Sequence, residues 1–112
     1  MIQPEPADTQ FTVSGGYVYI MTNRPHGILY VGVTADLERR ASDHRQKLFP
    51  GFSKLYGLTR LVFAEHHSEI TSAIRREKRI KTWNRAWKAR LIEQVNPNWD
   101  DLCVTQFGWP PL

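Results

Sequence analysis

The chain has 112 residues and a mass of 13.0 kDa, room for one small domain and not for two. Hydrophobic residues make up 41% and charged residues 23%, near the globular average, which excludes a disordered chain or a fibre. Fifteen Lys and Arg against eleven Asp and Glu leave a charge of +4 and a pI near 9.5, so a polyanion is the first class of partner to consider.

Met1 to Ser14 holds Pro4, Pro6, Asp8 and Thr9 with little apolar content and reads as a flexible leader, residues 1–14, without the apolar middle of a secretory signal. After Gly15-Gly16, the run Tyr17-Val18-Tyr19-Ile20-Met21 is apolar on both alternating faces, as in a strand covered on both sides. Turn residues Asn23 to Gly27 separate it from Ile28 to Val33, a second such run, and the two form a β-hairpin. Thr34 or Asp36 caps a helix to about Lys47, closed by Pro50-Gly51, and Lys54 to Gly57 reads as loop. Thr59 to His66 is a third strand, and Ser68-Glu69 starts a helix to about Lys81. Asn84 caps a last helix to about Gln94 whose buried side is marked by Trp87, Leu91 and Val95. Trp99, Phe107 and Trp109 pin part of the tail, residues 96–112, on the body formed by residues 15–95. This order of elements gives an α/β or α+β domain with a small sheet. No apolar run approaches the roughly 18 residues that span a bilayer, so a cytoplasmic protein without a membrane partner is expected. Cys103, the only cysteine, leaves no disulfide framework or multi-cysteine zinc site and reads as a small buried side chain.

Polar residues interrupt two apolar stripes. On the helix Ser68 to Lys81, Ile70, Ala73, Ile74 and Ile80 share one side, and Glu77 falls among them. An inward carboxylate costs several kcal/mol, on the order of a buried charge, unless it is paired or binds a cation. It is therefore a structural ion pair, an edge residue or a ligand. On the first helix Leu37, Ala41 and Leu48 share a side with Arg40 and His44, one turn apart and able to act on one spot. A salt bridge and a hydrogen-bonded core histidine are the structural alternatives for these two. Arg39 and Arg45 point elsewhere, as a solvated or phosphate-tracking face. Tyr17, Tyr19 and Tyr30 singly mean packing. His66 and His67 alternate across a strand and cannot share a metal.

The densest charge is Arg75, Arg76, Lys78, Arg79, Lys81, Arg85, Lys88 and Arg90, a cluster whose self-repulsion phosphates would relieve. Trp83, lying among these cations, is the candidate for stacking on an unpaired base, whereas Trp87 belongs to the apolar stripe.

Together these residues resemble the GIY-YIG nuclease superfamily. Tyr17-Val18-Tyr19 stands for its first motif and Tyr30-Val31-Gly32 for its second, about ten residues apart. Thr34 to Arg40, then His44, then Arg75-Arg76-Glu77-Lys78 continue the match, which covers about Gly16 to Glu93. The chain looks most like the small standalone bacterial members, themselves similar to the N-terminal nuclease domain of the bacterial excision-repair endonuclease. The resemblance implies a three-stranded antiparallel sheet flanked by about three helices and a divalent-metal-dependent phosphodiesterase acting on DNA. It makes Tyr19 and Tyr30 the motif tyrosines, Arg40 the motif arginine, His44 the His/Tyr position and Glu77 the ligand of one Mg²⁺ or Mn²⁺. Val33 stands where the excision-repair relatives carry lysine.

Hydrolysis of a phosphodiester needs an activated water, charge relief at phosphorus and stabilisation of the leaving alkoxide. Arg40 would take the phosphate with its planar fork, and the metal at Glu77 would serve the other needs. A phenol of pKa about 10 is a poor base at neutral pH, so Tyr19 or Tyr30 requires help from Arg40 or the metal; Tyr19 is the expected base, with His44, which titrates in the useful range, assisting it through a hydrogen bond or replacing it. The alternatives to an endonuclease are a non-catalytic nucleic-acid-binding module and a subunit of a DNA-repair complex. Arg39, Arg75, Arg76, Lys78, Arg79, Lys81, Trp83 and Arg85 form the expected nucleic-acid surface. Its aromatic content favours single-stranded or branched DNA over plain duplex, and RNA and the oligomeric state stay open.

Overall fold

The computed structural model describes residues 15–48, 51 and 55–112; the leader expected at 1–14, with Pro50 and Lys54, lies outside them. Strand β1 (Gly16–Thr22) pairs antiparallel with β2 (Leu29–Thr34) on one side and with β3 (Arg60–His67) on the other, giving the order β2-β1-β3. Helix α1 (Leu37–Arg45) follows β2, α2 (Ile70–Lys81) and α3 (Arg85–Val95) follow β3, and the short α4 (Leu102–Thr105) lies in the tail. The fold is thus α+β, with four helices among the described residues where about three were expected. At four residues, α4 is too short for a helical period to register. Leu55 and Tyr56 form a helical turn rather than open loop.

As the central strand, β1 is covered on both faces, which is why its run alternates without a polar side. Val18 and Ile20 point to one face and meet Val31, Val62, Phe63, and Ala73, Ile80, Ile92 and Trp99 from α2, α3 and the tail. Tyr19 and Met21 point to the other and meet Leu61, Leu58, Ala41 of α1 and Cys103 of α4. A bulge keeps both faces apolar: Ile20 pairs with Phe63 and Met21 with Leu61, so Val62 is the extra residue. Cys103 is fully buried, and burial, then the Asp101 carboxylate, push its thiol up to about 12.

The starts of α1, α3 and α4 follow the side chains that cap them, whereas α2 begins after Glu69 with no side-chain cap bond. Asp36 accepts from Arg39 N at 3.2 Å, Asn84 from Trp87 N at 3.0 Å and Asp101 from Cys103 N at 3.0 Å. Helix α1 ends at Arg45, short of the expected Lys47, because Lys47 adopts φ 58° and turns the chain away. Leu48, expected on the inward stripe, is consequently 65% exposed.

The rotation of α3 also differs from the expected one. Trp87 and Val95 are 52% and 69% exposed, and Ile92 is the buried residue. Apolar residues occupy more than half of this helix, so spacing alone does not choose a face. The choice is made by Asn96 at its end, whose Nδ2 donates to Val62 O at 3.0 Å and Asp100 O at 2.9 Å. That anchor turns Ile92 toward β3. Trp99 is locked next to it: its Nε1 donates to Glu93 Oε2 at 2.8 Å, and its carbonyl accepts from Arg60 Nε at 2.7 Å. Trp99→Ala should cost about 3–5 kcal/mol in a urea unfolding experiment. Val95→Ala should stay within about 0.5 kcal/mol of the parent, the opposite of what the apolar spacing of α3 implies.

Candidate active site

Tyr19 and Tyr30 share a face because the hairpin register pairs Tyr19 with Gly32 and Met21 with Tyr30, placing the two phenols diagonally across adjacent strands. Their ring centroids are 6.3 Å apart. Gly32 is required here: a Cβ at this position would lie 2.5 Å from both Cζ and the hydroxyl oxygen of Tyr19. The Tyr19 ring therefore lies flat over the β2 backbone, and its hydroxyl reaches α1.

Helix α1 supplies the rest of the cluster. His44 Nε2 is 3.1 Å from the Tyr19 hydroxyl, and the imidazole packs edge-on to both phenols, with centroids 5.6 Å from Tyr19 and 5.3 Å from Tyr30. One turn earlier, Arg40 brings its guanidinium to the Tyr19 hydroxyl. Beside Arg40 opens a cleft of about 300 Å³ lined by Thr34, Ala35, Asp36, Arg39, Arg40 and Asp43. Burial, then the neighbouring Tyr30 phenol, push the Tyr19 hydroxyl above its ordinary 10 against the pull of Arg40. Burial, then the Arg40 charge, push His44 down to about 4, so its imidazole is neutral at neutral pH. Tyr19 is 1% exposed, whereas Tyr30 is only half-buried. The expectation that Tyr19 itself is the base meets an obstacle in this burial and in the direction of its shift.

Glu77 lies on the other side of the sheet. It belongs to the stripe of α2 that buries Ala73 and Ile80, is itself buried, and pairs through Oε2 with Lys81 Nζ at 2.6 Å. Arg76, the preceding residue, leans toward β3, where its Nε and Nη2 donate to the Glu65 carboxylate at 3.0 and 3.3 Å. Helix α2 as a whole packs mainly against β1 and β2. The tyrosine cluster and α2 thus flank the same outer strand from opposite faces.

The expected nucleic-acid residues divide into two groups. Arg39, Arg75, Lys78 and Arg79 are exposed. Arg76 is held by Glu65 and lies 5.3 Å from the Trp83 ring centre, Lys81 by Glu77, and Arg85 by the carbonyls of His26 and Gly27 in the hairpin turn. Trp83 is half-buried against the core. A relay that the sequence does not reveal runs from Ser72 Oγ to His67 Nδ1 at 2.8 Å and from His67 Nε2 to Glu65 Oε1 at 2.8 Å. Burial alone would raise the Glu65 carboxyl, but hydrogen bonds from His67 and Arg76 hold it below the ordinary carboxylate value. Spacing puts Glu65 and His67 on one face of β3 and Ser72 and Arg76 one turn apart on α2, but no spacing rule joins the strand pair to the helix pair.

Among the described residues no three His, Cys, Asp or Glu side chains converge on one point. A single buried carboxylate such as Glu77 suits a hard ion that keeps most of its waters, not a zinc-type cage. The competing Lys81 is 54% exposed, so its ammonium can swing into solvent and leave the carboxylate to an incoming cation.

Residues 15–90 match the GIY-YIG catalytic domain, and the chain belongs to the GIY-YIG family, whose fold is of the nuclease type. It is 36% identical over 93 residues to a UPF0213 protein of Serratia liquefaciens, covering 81% of this chain and 88% of that one. A UPF0213 protein of Staphylococcus haemolyticus is 35% identical over 78 residues, 70% of this chain and 94% of its own. The solution NMR structure of a UPF0213 protein from Bacillus halodurans superposes with a TM-score of 0.50 at 25% identity, over 82% of this chain and 97% of that chain. Among the described residues no helix is long and apolar enough to cross a membrane.

The imidazole gives this site a stability signature. The unfolded chain binds a proton at His44 near pH 6.5 and the folded chain only near 4, so stability is full above pH 6.5 and falls as the pH drops between the two values. Each tenfold difference in proton affinity between the two states is worth about 1.4 kcal/mol, so the loss approaches roughly 3 kcal/mol. Denaturation series from pH 7 to about 4.5 should show this slope in the parent, and His44→Gln should flatten it.

Proposed function

We propose that the protein is a divalent-metal-dependent endonuclease that hydrolyses phosphodiester bonds in DNA, with single-stranded or branched DNA favoured over plain duplex. The observation that carries this reading is the convergence of Tyr19, Tyr30, Arg40 and His44, from two strands and one helix, around a single hydrogen-bonded hydroxyl in a GIY-YIG domain. A core needs none of these polar groups, and each costs free energy to bury.

Tyr30, the phenol nearer solvent, orients the attacking water and, as the phenolate formed once its own proton has passed to solvent, takes the water's proton. Tyr19 and neutral His44 stand behind it as positioning residues, fixing the direction of the Tyr30 ring and excluding water from its rear. Arg40 receives the scissile phosphate from the adjoining cleft with two parallel N–H donors. Glu77 would hold one Mg²⁺ or Mn²⁺, and that ion, when bound, supplies charge relief at the phosphate and the leaving oxygen. Because the two halves flank β2 from opposite faces, the substrate strand lies across the outer edge of that strand. The protein works without a membrane partner, in the cytoplasm.

One observation favours a second reading, a nucleic-acid-binding module that does not cut: Glu77 is held by Lys81 and lies across the sheet from the tyrosines. Cleavage of single-stranded, flapped, duplex and RNA substrates with Mg²⁺, Mn²⁺ or chelator separates the two. Under the nuclease reading Tyr30→Phe and Glu77→Ala each lower cleavage by about a hundredfold or more while binding largely survives. A parent protein that cuts none of these substrates with either ion leaves the binding module as the function.

A further inference from the structure

On the face of the sheet away from the tyrosines, α2 and α3 enclose an open groove of about 270 Å³ lined by Arg76, Trp83, Trp87, Arg90, Leu91 and Gln94. Its volume suits one planar ring system, not an extended ligand. The two indoles meet edge to face, 6.0 Å between ring centroids and 77° between planes. Trp83 forms the wall, packed on the core with the Arg76 guanidinium over its ring at 5.3 Å. Trp87 is the free platform: at 52% exposure it is a large apolar surface left in water on a helix whose inward residue is Ile92.

We infer that this groove is a binding site for one unpaired nucleobase of a nucleic-acid strand, with the base stacked on Trp87 and Gln94 at the rim. An aromatic pair could also hold a cation, but Arg76 and Arg90 line the same groove, and like charges repel. The groove instead suits a ring system tethered to an anion. Arg76 is held in place by two hydrogen bonds to Glu65, so the wall is rigid before any ligand arrives. Gln94 offers both a donor and an acceptor to a base edge, where an acidic peptide would use neither. A base inside a duplex has both faces covered by its neighbours and cannot present one to Trp87.

The placement also connects the groove to the candidate active site. Going round α2 from Glu77, the outer surface carries exposed Lys78, Arg75 and Arg79 before it reaches Arg76 and the indoles. A strand following these cations goes round at least half the circumference of a helix about 10–12 Å across, a path of roughly 16–19 Å or about five stacked nucleotides, from the edge of β2 to the groove. In that form the site deepens the nuclease reading: it would hold the substrate by an unpaired base a fixed distance from the cut.

The test is a binding experiment in chelator, where no metal-dependent cutting occurs. Fluorescence anisotropy would compare a short labelled single-stranded oligodeoxynucleotide of mixed sequence with its blunt duplex. The parent should prefer the single strand. Trp87→Ala should weaken single-strand binding about five- to a hundredfold, leave duplex binding and the salt dependence unchanged, and keep the parent's far-UV spectrum. Trp87→Phe should restore most of the loss, because a smaller ring still stacks. Equal losses on strand and duplex, no loss at all, or competition by a poly-glutamate peptide as effective as by the oligonucleotide would overturn the inference. A Trp87-dependent preference for single strands in a protein that cleaves nothing would support the groove and overturn the nuclease reading alone.

Discussion

The hydroxyl of Tyr19 is the group around which one half of the molecule is arranged. It is buried at 1% exposure on the central strand, where an unsatisfied hydroxyl costs on the order of 1–3 kcal/mol, so partners must be brought to it. Gly32 lets the ring lie over β2, and His44 and Arg40 arrive from α1. Those partners fix the rotation of α1, whose turn-spaced His44 and Arg40 must both face inward. The cleft beside Arg40 exists because α1 is held in that rotation. The hairpin, the helix and the cleft are three consequences of one phenol that cannot be left without a hydrogen bond.

A three-stranded sheet imposes a second constraint, because it separates what it supports. Alternation along β1 sends Tyr19 and Met21 to one face and Val18 and Ile20 to the other, and no side chain crosses between them. The phenols, Arg40 and His44 therefore belong to one layer and Glu77 to the other. In a wide sheet they would be unable to act together. Among the described residues β2 is an edge strand with one neighbour, so the tyrosine cluster and α2 lie on the two faces of the same outer strand.

Much of this was legible in the sequence because local rules governed it. The strand pair, the capped helices at Asp36 and Asn84, and the inward positions of His44 and Glu77 follow from period, capping chemistry and turn residues. Legibility failed where a distant partner made the choice. The phase of α3 is set by Asn96 bonding to β3, so Trp87 and Val95 face water despite their spacing. Leu48 is exposed because one left-handed residue ends α1 early. In the network of Glu65, His67, Ser72 and Arg76, periodicity puts the first two on one face of β3 and the last two one turn apart on α2, but nothing within either element says that the pairs meet. The unequal burial of Tyr19 and Tyr30 was likewise hidden in the sequence, since both sit on one face of the hairpin.

The net charge illustrates the same difference between a list of residues and a surface. A run of eight cations from Arg75 to Arg90 reads as one basic face, yet three of them are occupied within the fold. Arg76 braces Glu65 and covers Trp83, Lys81 pairs with Glu77, and Arg85 ties α3 to the hairpin turn. Each of these contacts keeps its charge but fixes its direction. Arg75, Lys78 and Arg79 remain on the outer surface of α2, opposite the stripe that packs on the sheet. The helix therefore presents positive charge as a narrow band between an inward acid on one flank and an aromatic groove on the other. A polyanion attracted by such a band is steered along a line rather than spread over a face, because the potential falls off within about a Debye length on either side.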